Sequence, residues 1–307
     1  MRGALAALLL GLALALAPAA AQEGRLFLDP DNPAWTTPSV AGGRVQYRIY
    51  DSAAAKAQVS FHVYAPESYE RDSGRRFPVL YWLHGSGGGL AGVRPLAEHF
   101  DKAIRAGLVP PMLVVFPNGM QGSMWVDSKD GRVPMETVLI REILPLVDKE
   151  FRTLASREGR LVEGFSMGGY GAGRLGFKYP ELFAAVSMLG AGPLQRELNA
   201  ETGPRSRPQD RERLLGLIYG GDQAYFRAQS PWVLAEENAE ALRGRTKIRM
   251  AIGGADSTLP INREFEAHLA ALAIPHEFVV VPGVGHETLK VLEGLDWAFY
   301  REAFGAF

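Results

Sequence analysis

Residues 161–172 read LVEGFSMGGYGA, an apolar run that passes directly into a cluster of glycines. A short apolar run that ends at a glycine-rich turn is typical of a buried strand. The stretch therefore predicts a strand, a sharp turn at Ser166 and a helix. The small residues Gly169, Gly171 and Ala172 would let this helix approach the sheet closely. Gly164–Gly168 is also the only G-x-S-x-G of the chain.

Strands and helices alternate on both sides of this stretch. Further strands are predicted at residues 44–50, 58–64, 78–83, 112–116, 184–189, 247–252 and 276–281. Helices are predicted at residues 94–106, 136–151 (kinked or divided at Pro145), 232–242, 262–272 and 287–304. The first two strands alternate apolar and polar residues and are expected to form an antiparallel pair. The pattern predicts one α/β domain, with a mainly parallel central sheet covered by helices on both faces.

Segment 193–230 interrupts this rhythm. It is charged, contains proline and glycine, and is weakly periodic. We expect it to form an irregular insertion over one edge of the sheet. Since no linker-like stretch or internal repeat occurs, residues 22–307 are expected to form a single domain.

The first 21 residues have the pattern of a targeting segment. Arg2 is their only charged residue, and an Ala/Leu run is followed by Pro18 and three alanines. This order is typical of a secretory signal peptide, with cleavage expected before Gln22. The alternative is an N-terminal membrane anchor, but the run is rich in alanine and lacks a positive flank. The sequence therefore predicts a secreted or periplasmic protein.

The overall composition excludes several classes of function. Among the 307 residues, Lys+Arg (33) and Asp+Glu (34) nearly balance, for a net charge of −1. This balance argues against a protein that coats nucleic acid or an anionic membrane surface. The chain contains no cysteine, which excludes disulfides, thiolate metal sites and a cysteine nucleophile.

Ser166 is the candidate nucleophile, because G-x-S-x-G after a strand places a serine on a strained turn at the edge of a sheet. A serine hydroxyl needs a base, and hydrolases of this type have the chain order serine, acid, histidine. His286 lies in a glycine-rich loop after an apolar strand, whereas His268 and His276 lie within a helix and at a strand start. His286 is therefore the candidate base.

Asp256 is the candidate acid, because it follows an apolar strand and two glycines. Its role would be to hold the histidine tautomer and stabilise the imidazolium. Asp222 and Glu236 are rival carboxylates, but neither follows a credible strand. A turn or helix-capping role is the alternative for Asp256.

Two backbone N–H groups are expected to form an oxyanion hole. One belongs to Met167, the residue after the candidate nucleophile. The other is expected in the loop after an early strand, where residues 84–88 read HGSGG, and we favour the N–H of Ser86. A phosphate-binding role for this loop is disfavoured, because no Gly-Lys-Ser/Thr follows it.

These motifs together resemble the putative-esterase family of α/β-hydrolases, which includes esterase D-like, feruloyl and acetyl xylan esterases, enterochelin esterases and mycolyltransferases. The resemblance covers roughly residues 44–305 and rests on five segments: residues 81–85, 164–172, 230–231, 253–256 and 282–286. It implies an α/β-hydrolase fold, a triad of Ser166, Asp256 and His286, and oxyanion donors at Ser86 and Met167. The segment with Trp125 and Asp127 is similar to one that lines the substrate pocket in the family. The chain departs from the family at residues 287–289, where members often place an aromatic residue.

The sequence therefore predicts a secreted serine esterase that needs no metal or organic cofactor. Its expected partner is a small-molecule or carbohydrate ester, such as an acyl or feruloyl ester of a polysaccharide, with no nucleic acid and no membrane once the signal is removed. An acyltransferase with the same triad, a serine peptidase and a non-enzymatic binding module of the same fold remain alternatives.

Overall fold

Our computed structural model describes residues 28–199 and 206–305. Its strands are β1 (Val45–Ser52), β2 (Ala57–Tyr64), β3 (Val79–Leu83), β4 (Leu113–Pro117), β5 (Arg160–Phe165), β6 (Ala185–Leu189), β7 (Lys247–Gly253) and β8 (Glu277–Val281). They form one sheet in the order β1-β2-β4-β3-β5-β6-β7-β8. The β1–β2 and β2–β4 pairs are antiparallel and the others are parallel. The predicted mainly parallel sheet, opened by an antiparallel pair, is confirmed.

Helices connect the strands and cover both faces of the sheet. They are α1 (Glu67–Arg71), α2 (Leu90–Arg105), α3 (Met135–Thr137), α4 (Leu144–Glu150), α5 (Met167–Lys178), α6 (Pro208–Tyr219), α7 (Gln223–Ala228), α8 (Pro231–Glu237), α9 (Ala239–Leu242), α10 (Leu259–Ala271), α11 (Thr288–Glu293) and α12 (Ala298–Phe304). None of these helices, within the described part of the chain, is long and apolar enough to cross a membrane. The predicted signal peptide at residues 1–21 lies outside the described residues.

The core consists of two layers, one on each face of the sheet. Successive residues of a strand point to opposite faces. In β3, Val79, Tyr81 and Leu83 pack in one apolar cluster, and Leu80 and Trp82 pack in the other. This two-sided burial explains why the central strands read as continuous apolar runs rather than as alternating ones.

The parallel register brings several strand ends to one edge of the sheet. Leu83 of β3 pairs with Gly164 of β5, and Gly253 of β7 pairs with Val281 of β8. The loops that follow these strands therefore leave the sheet at the same edge. In open α/β sheets this carboxyl edge is where ligands bind.

Three predicted helices differ in the structure. The helix predicted at residues 136–151 comprises α3, a π-helical turn at Val138–Ile143 and α4, with Pro145 in the first turn of α4. Proline has no N–H to donate, and a wider π turn accommodates it without ending the helix. The helix predicted at residues 232–242 is divided into α8 and α9 at Asn238. The C-terminal helix is divided at Gly294, which directly follows α11 and at which a Cβ would lie 2.4 Å from Val281 Cγ1.

The segment 193–230 is also more regular than predicted, because it contains α6 and α7. Within α6 only Arg211, Ile218 and Tyr219 are buried. Three buried positions, one of them an arginine, produce little apolar periodicity, which explains why the sequence pattern did not indicate a helix.

A buried polar cluster joins the middle of the sheet to the C-terminal helix. Arg249 of β7 donates to the Glu163 carboxylate of β5 at 2.7 Å and to Ser187 of β6 at 3.1 Å. The Tyr300 hydroxyl of α12 donates to Glu163 at 3.0 Å. Arg249 and Glu163 are both at most 1% exposed, so this charge pair is fully enclosed by the core.

Candidate active site

Ser166 lies at the turn between β5 and α5 in a backbone conformation that side chains rarely adopt, with φ 59° and ψ −120°. Such a residue persists only where its surroundings hold it in place. Its N–H donates to the Leu189 carbonyl at 2.9 Å, and its carbonyl accepts the N–H of Gly192 at 3.2 Å. The end of β6 and the following loop thus hold the strained serine on both sides.

Glycine is required on both sides of this turn. A Cβ on Gly168 would lie 1.8 Å from the Leu83 carbonyl oxygen, and one on Gly164 would lie 2.4 Å from the Gly168 carbonyl oxygen. Real Cβ atoms do not approach backbone this closely, so the G-x-S-x-G spacing is a packing requirement as well as a motif.

The loops after β7 and β8 bring Asp256 and His286 together. The Val284 carbonyl accepts the N–H of Ala255 at 2.9 Å, and a Cβ on Gly253 would lie 2.2 Å from the same oxygen. Asp256 Oδ2 lies 2.5 Å from His286 Nδ1. A carboxylate accepts here, so Nδ1 carries the proton in the neutral ring and Nε2 is the basic nitrogen.

Asp256 is 4% exposed, yet it is arranged to stay ionised. Burial opposes its ionisation, but hydrogen bonds from Thr258 and His286 prevail and hold the pKa of Asp256 below its usual value. Both the Thr258 N–H and its hydroxyl donate to Oδ1 at 2.9 Å. The sequence analysis did not identify Thr258 as a site residue. The only indication in the sequence is its position two residues after Asp256.

A cleft of about 480 Å³ opens at this edge of the sheet. Four of the predicted site residues line it: Ser86, Ser166, Met167 and His286. Met167 is the first residue of α5, so its N–H has no partner within the helix ladder. The loop with Ser86 approaches the serine closely, since a Cβ on Gly85 would lie 3.3 Å from Ser166 Cβ.

The segment 193–230 forms another wall of the same cleft. It contributes Pro193, Gln195, Leu198, Asp210, Arg211 and Leu214. Gln195 Oε1 is buried and has no hydrogen-bond partner in the described part of the chain. The sequence analysis did not identify these residues as part of the site. No local sequence pattern indicates that a weakly periodic segment packs beside loops that are distant in the chain.

The structure does not bring Trp125 and Asp127 to the cleft, which differs from the pocket-lining role that the resemblance implied. Trp125 is fully buried. A Cβ on Gly119 would lie 2.3 Å from its ring, and one on Gly171 would lie 2.5 Å from it. Asp127 instead accepts the N–H and the hydroxyl of Thr137, at 2.9 Å and 2.6 Å. Both side chains are thus used in packing and in holding a helix end.

The groups that meet at this cleft are side chains and backbone N–H groups. No group of three or more histidine, aspartate or glutamate residues within residues 28–199 and 206–305 is arranged to hold a metal ion. A strained serine, a histidine–carboxylate pair and two candidate N–H donors are the components of acyl transfer through a covalent intermediate.

Several known sequences similar to this chain are described as esterases. The family model described as Putative esterase matches residues 52–301. Esterase Rv1288 of Mycobacterium tuberculosis is 30% identical over 274 residues, covering 79% of this chain and 56% of that protein. An endo-1,4-beta-xylanase/feruloyl esterase of Xylanibacter ruminicola is 30% identical over 168 residues, covering 50% of this chain and 22% of that protein. The chain thus spans about half the length of the mycobacterial relative and less of the other.

Solved structures share the fold at lower identity. A ferulic acid esterase superposes with a TM-score of 0.70 at 23% identity, covering 85% of this chain and 98% of that one. An S-formylglutathione hydrolase from Agrobacterium tumefaciens superposes with a TM-score of 0.67 at 21% identity, covering 85% and 95%. The matching family model, together with this fold, confirms the resemblance found in the motifs: the chain belongs to the Putative esterase family and has the α/β-hydrolase fold.

Proposed function

We propose that this protein is a serine hydrolase of carboxylic esters, with Ser166 as nucleophile, His286 as base and Asp256 as the residue that orients the base. The observation that carries the proposal is the 2.5 Å contact between Asp256 and His286, at a cleft whose wall contains the strained Ser166. Membership of an esterase family supports the same reaction class.

In the proposed reaction, Ser166 Oγ attacks the ester carbonyl carbon while His286 Nε2 takes the hydroxyl proton. The tetrahedral oxyanion accepts hydrogen bonds from the N–H groups of Ser86 and Met167. The imidazolium, stabilised by the ionised Asp256, then gives its proton to the departing alcohol. Water then attacks the carbonyl carbon of the acyl-enzyme while His286 Nε2 takes a proton from it. His286 gives this proton to Ser166 Oγ as the bond to the serine breaks, and the carboxylic acid is released.

The proposed substrates are esters of small acyl or feruloyl groups, and the proposed alcohol component is a small molecule or a carbohydrate. A cleft of about 480 Å³ has room for an aromatic acyl group or a sugar ring. A relative described as an endo-1,4-beta-xylanase/feruloyl esterase and a structural neighbour described as a ferulic acid esterase support this choice.

Fluorophosphonate labelling tests the reaction class. The reagent reacts with activated serines, and we expect a single adduct on the peptide that contains Ser166, located by mass spectrometry. The Ser166→Ala variant is the control, in which both the adduct and hydrolysis of p-nitrophenyl acetate disappear. A label on another residue, or unchanged turnover in the variant, would refute the proposal.

We also propose that the protein is exported after cleavage before Gln22. The support is the sequence of charged, apolar and small residues within residues 1–21. N-terminal sequencing of the protein recovered from the periplasm or medium tests this. A mature chain that still begins with Met1 would contradict it.

A further inference from the structure

The loop after β3 is held by the side chain of its first residue, His84. The Gly119 N–H donates to His84 Nε2 at 2.9 Å, and His84 Nδ1 lies 2.7 Å from the Gly85 carbonyl oxygen. Because an N–H only donates and a carbonyl only accepts, Nε2 has no proton and Nδ1 carries one. The two contacts therefore select one neutral tautomer of the ring.

The surroundings keep this ring neutral and prevent it from turning. His84 is 7% exposed, and burial lowers its pKa to about 4, although the hydrogen bond to Gly85 opposes this. The His84 ring packs edge-on against the Trp125 ring, with 5.1 Å between the ring centroids. A Cβ on Gly89 would lie 2.4 Å from His84 Cδ2. The Trp125 indole N–H also donates to the His84 carbonyl at 3.2 Å. The buried Trp125 thus supports both the ring and the backbone of His84.

The Gly85 carbonyl and the Ser86 N–H belong to the same peptide unit, which is planar and points the two groups in opposite directions. A hydrogen bond that holds the carbonyl on the imidazole therefore directs the Ser86 N–H away from it. Such a bond also polarises the amide, which makes the N–H a stronger donor.

We propose that His84 is a positioning residue that orients and polarises the Ser86 N–H as an oxyanion donor, through its hydrogen bond to the Gly85 carbonyl. This inference rests on the proposed function, because it assigns the loop to the oxyanion of the ester reaction. His84 touches no substrate in this scheme and acts only through the peptide unit that follows it.

Two amide variants separate the two contacts of the ring. His84→Asn places an N–H donor near the position of Nδ1 and retains the bond to Gly85. His84→Gln reaches the position of Nε2 with its amide and retains the contact with Gly119 but not the one with Gly85. With p-nitrophenyl acetate, we expect kcat to fall on the order of 100-fold in His84→Gln and about tenfold or less in His84→Asn, with KM nearly unchanged in both.

A trifluoromethyl ketone supplies the readout that a merely structural role would not move, because its adduct with serine carries an oxyanion. Its inhibition constant is expected to rise in parallel with the loss of kcat/KM in His84→Gln. Equal losses in the two variants, or an unchanged inhibition constant, would overturn the inference. A wild-type protein that neither hydrolyses esters nor is labelled at a serine would instead refute the proposed function.

The wild-type protein decides the matter if either variant fails to fold, as judged by circular dichroism. In protein labelled uniformly with nitrogen-15, we expect His84 to be protonated at Nδ1 and unprotonated at Nε2 at neutral pH. The Ser86 amide resonance is expected to shift when the trifluoromethyl ketone binds. The opposite tautomer, or a Ser86 resonance that does not respond, would overturn the inference.

Discussion

At the scale of single residues, the candidate site depends on hydrogen bonds that hold an orientation. Asp256 accepts from Thr258 on one oxygen and contacts His286 with the other, so its carboxylate cannot rotate without losing bonds. Replacing it with asparagine would put an amide where an acceptor is required and favour the wrong tautomer of the histidine.

We therefore expect Asp256→Asn to lower kcat on the order of 10⁴-fold while the protein stays folded. Steady-state hydrolysis of p-nitrophenyl acetate measures the effect. Asp222→Asn is the matched control: Asp222 caps α7 and pairs with Lys129 at the surface, and its substitution should leave kcat unchanged. Equal effects of the two substitutions would contradict the assignment.

His84 also predicts how stability depends on pH. Burial lowers the pKa of His84 to about 4 in the folded protein, from 6.5 for an unperturbed histidine, so above about pH 6.5 the ring is mostly neutral in both the folded and the unfolded state. As pH falls from 6.5 towards 4, the unfolded chain binds a proton that the folded chain excludes. The free energy of unfolding should therefore decrease with falling pH in this window, by at most about 1.4 kcal/mol per pH unit from this group.

Urea unfolding of the wild-type protein and His84→Gln across this pH window measures the contribution. The wild-type protein is expected to have the steeper dependence, because the variant has no group that titrates at this position. Identical slopes would show that His84 is not held neutral by the fold.

At the scale of elements, the contact of α5 with the end of β3 sets the position of the nucleophile. It is made at Gly168, where a Cβ would lie 1.8 Å from a backbone oxygen that cannot move aside. Gly216 lies within the exposed part of α6, and a Cβ there would meet nothing within 4 Å. The two glycines thus have the same kind of backbone and opposite surroundings.

Gly168→Ala is expected to destabilise the protein by several kcal/mol or to prevent folding, because helix and strand must separate. Gly216→Ala is expected to stabilise it by about 0.5–1 kcal/mol, because alanine loses less backbone entropy in a helix. Thermal unfolding followed by circular dichroism measures both. Similar shifts in the two variants would mean that the close approach at Gly168 is not required.

At the scale of the whole molecule, the Glu163–Arg249 pair links three strands and α12. The Arg249 guanidinium also lies over the Phe299 ring at 4.2 Å, which adds an aromatic contact from the same helix. Removing one partner leaves the other charge buried without compensation, whereas exposed pairs contribute little.

Arg249→Met is therefore expected to lower the free energy of unfolding by about 3–5 kcal/mol, measured by urea denaturation. The control is Arg94→Met, which breaks an exposed pair with Glu98 on α2 and should leave the transition unchanged. The double variant Glu163→Gln/Arg249→Met should recover part of the loss. If Arg249→Met were as stable as Arg94→Met, the buried pair would not contribute to holding the strands and α12 together.

Much of the fold and of the candidate site could be predicted from the sequence, because the signals are local. Apolar strands and glycine turns report on their own backbone, and parallel strands bring their ends to one edge. The three candidate triad residues follow the ends of such strands: Ser166, Asp256 and His286. Their location at one edge of the sheet was therefore predictable. The matching family model confirmed the predicted family, and the eight-stranded sheet confirmed the predicted α/β class.

Tertiary structure alone decided which side chains reach the cleft. Trp125 is enclosed by Gly119 and Gly171, which come from different segments, so no local pattern distinguishes its buried place from a place in the pocket. The cleft wall from the segment 193–230 likewise depends on a long-range return of the chain. The sequence by itself determined the strands, their turns and the chemistry at the turns, since these depend on near neighbours. The lining of the cleft depends on contacts between distant segments, which exist only in the folded protein.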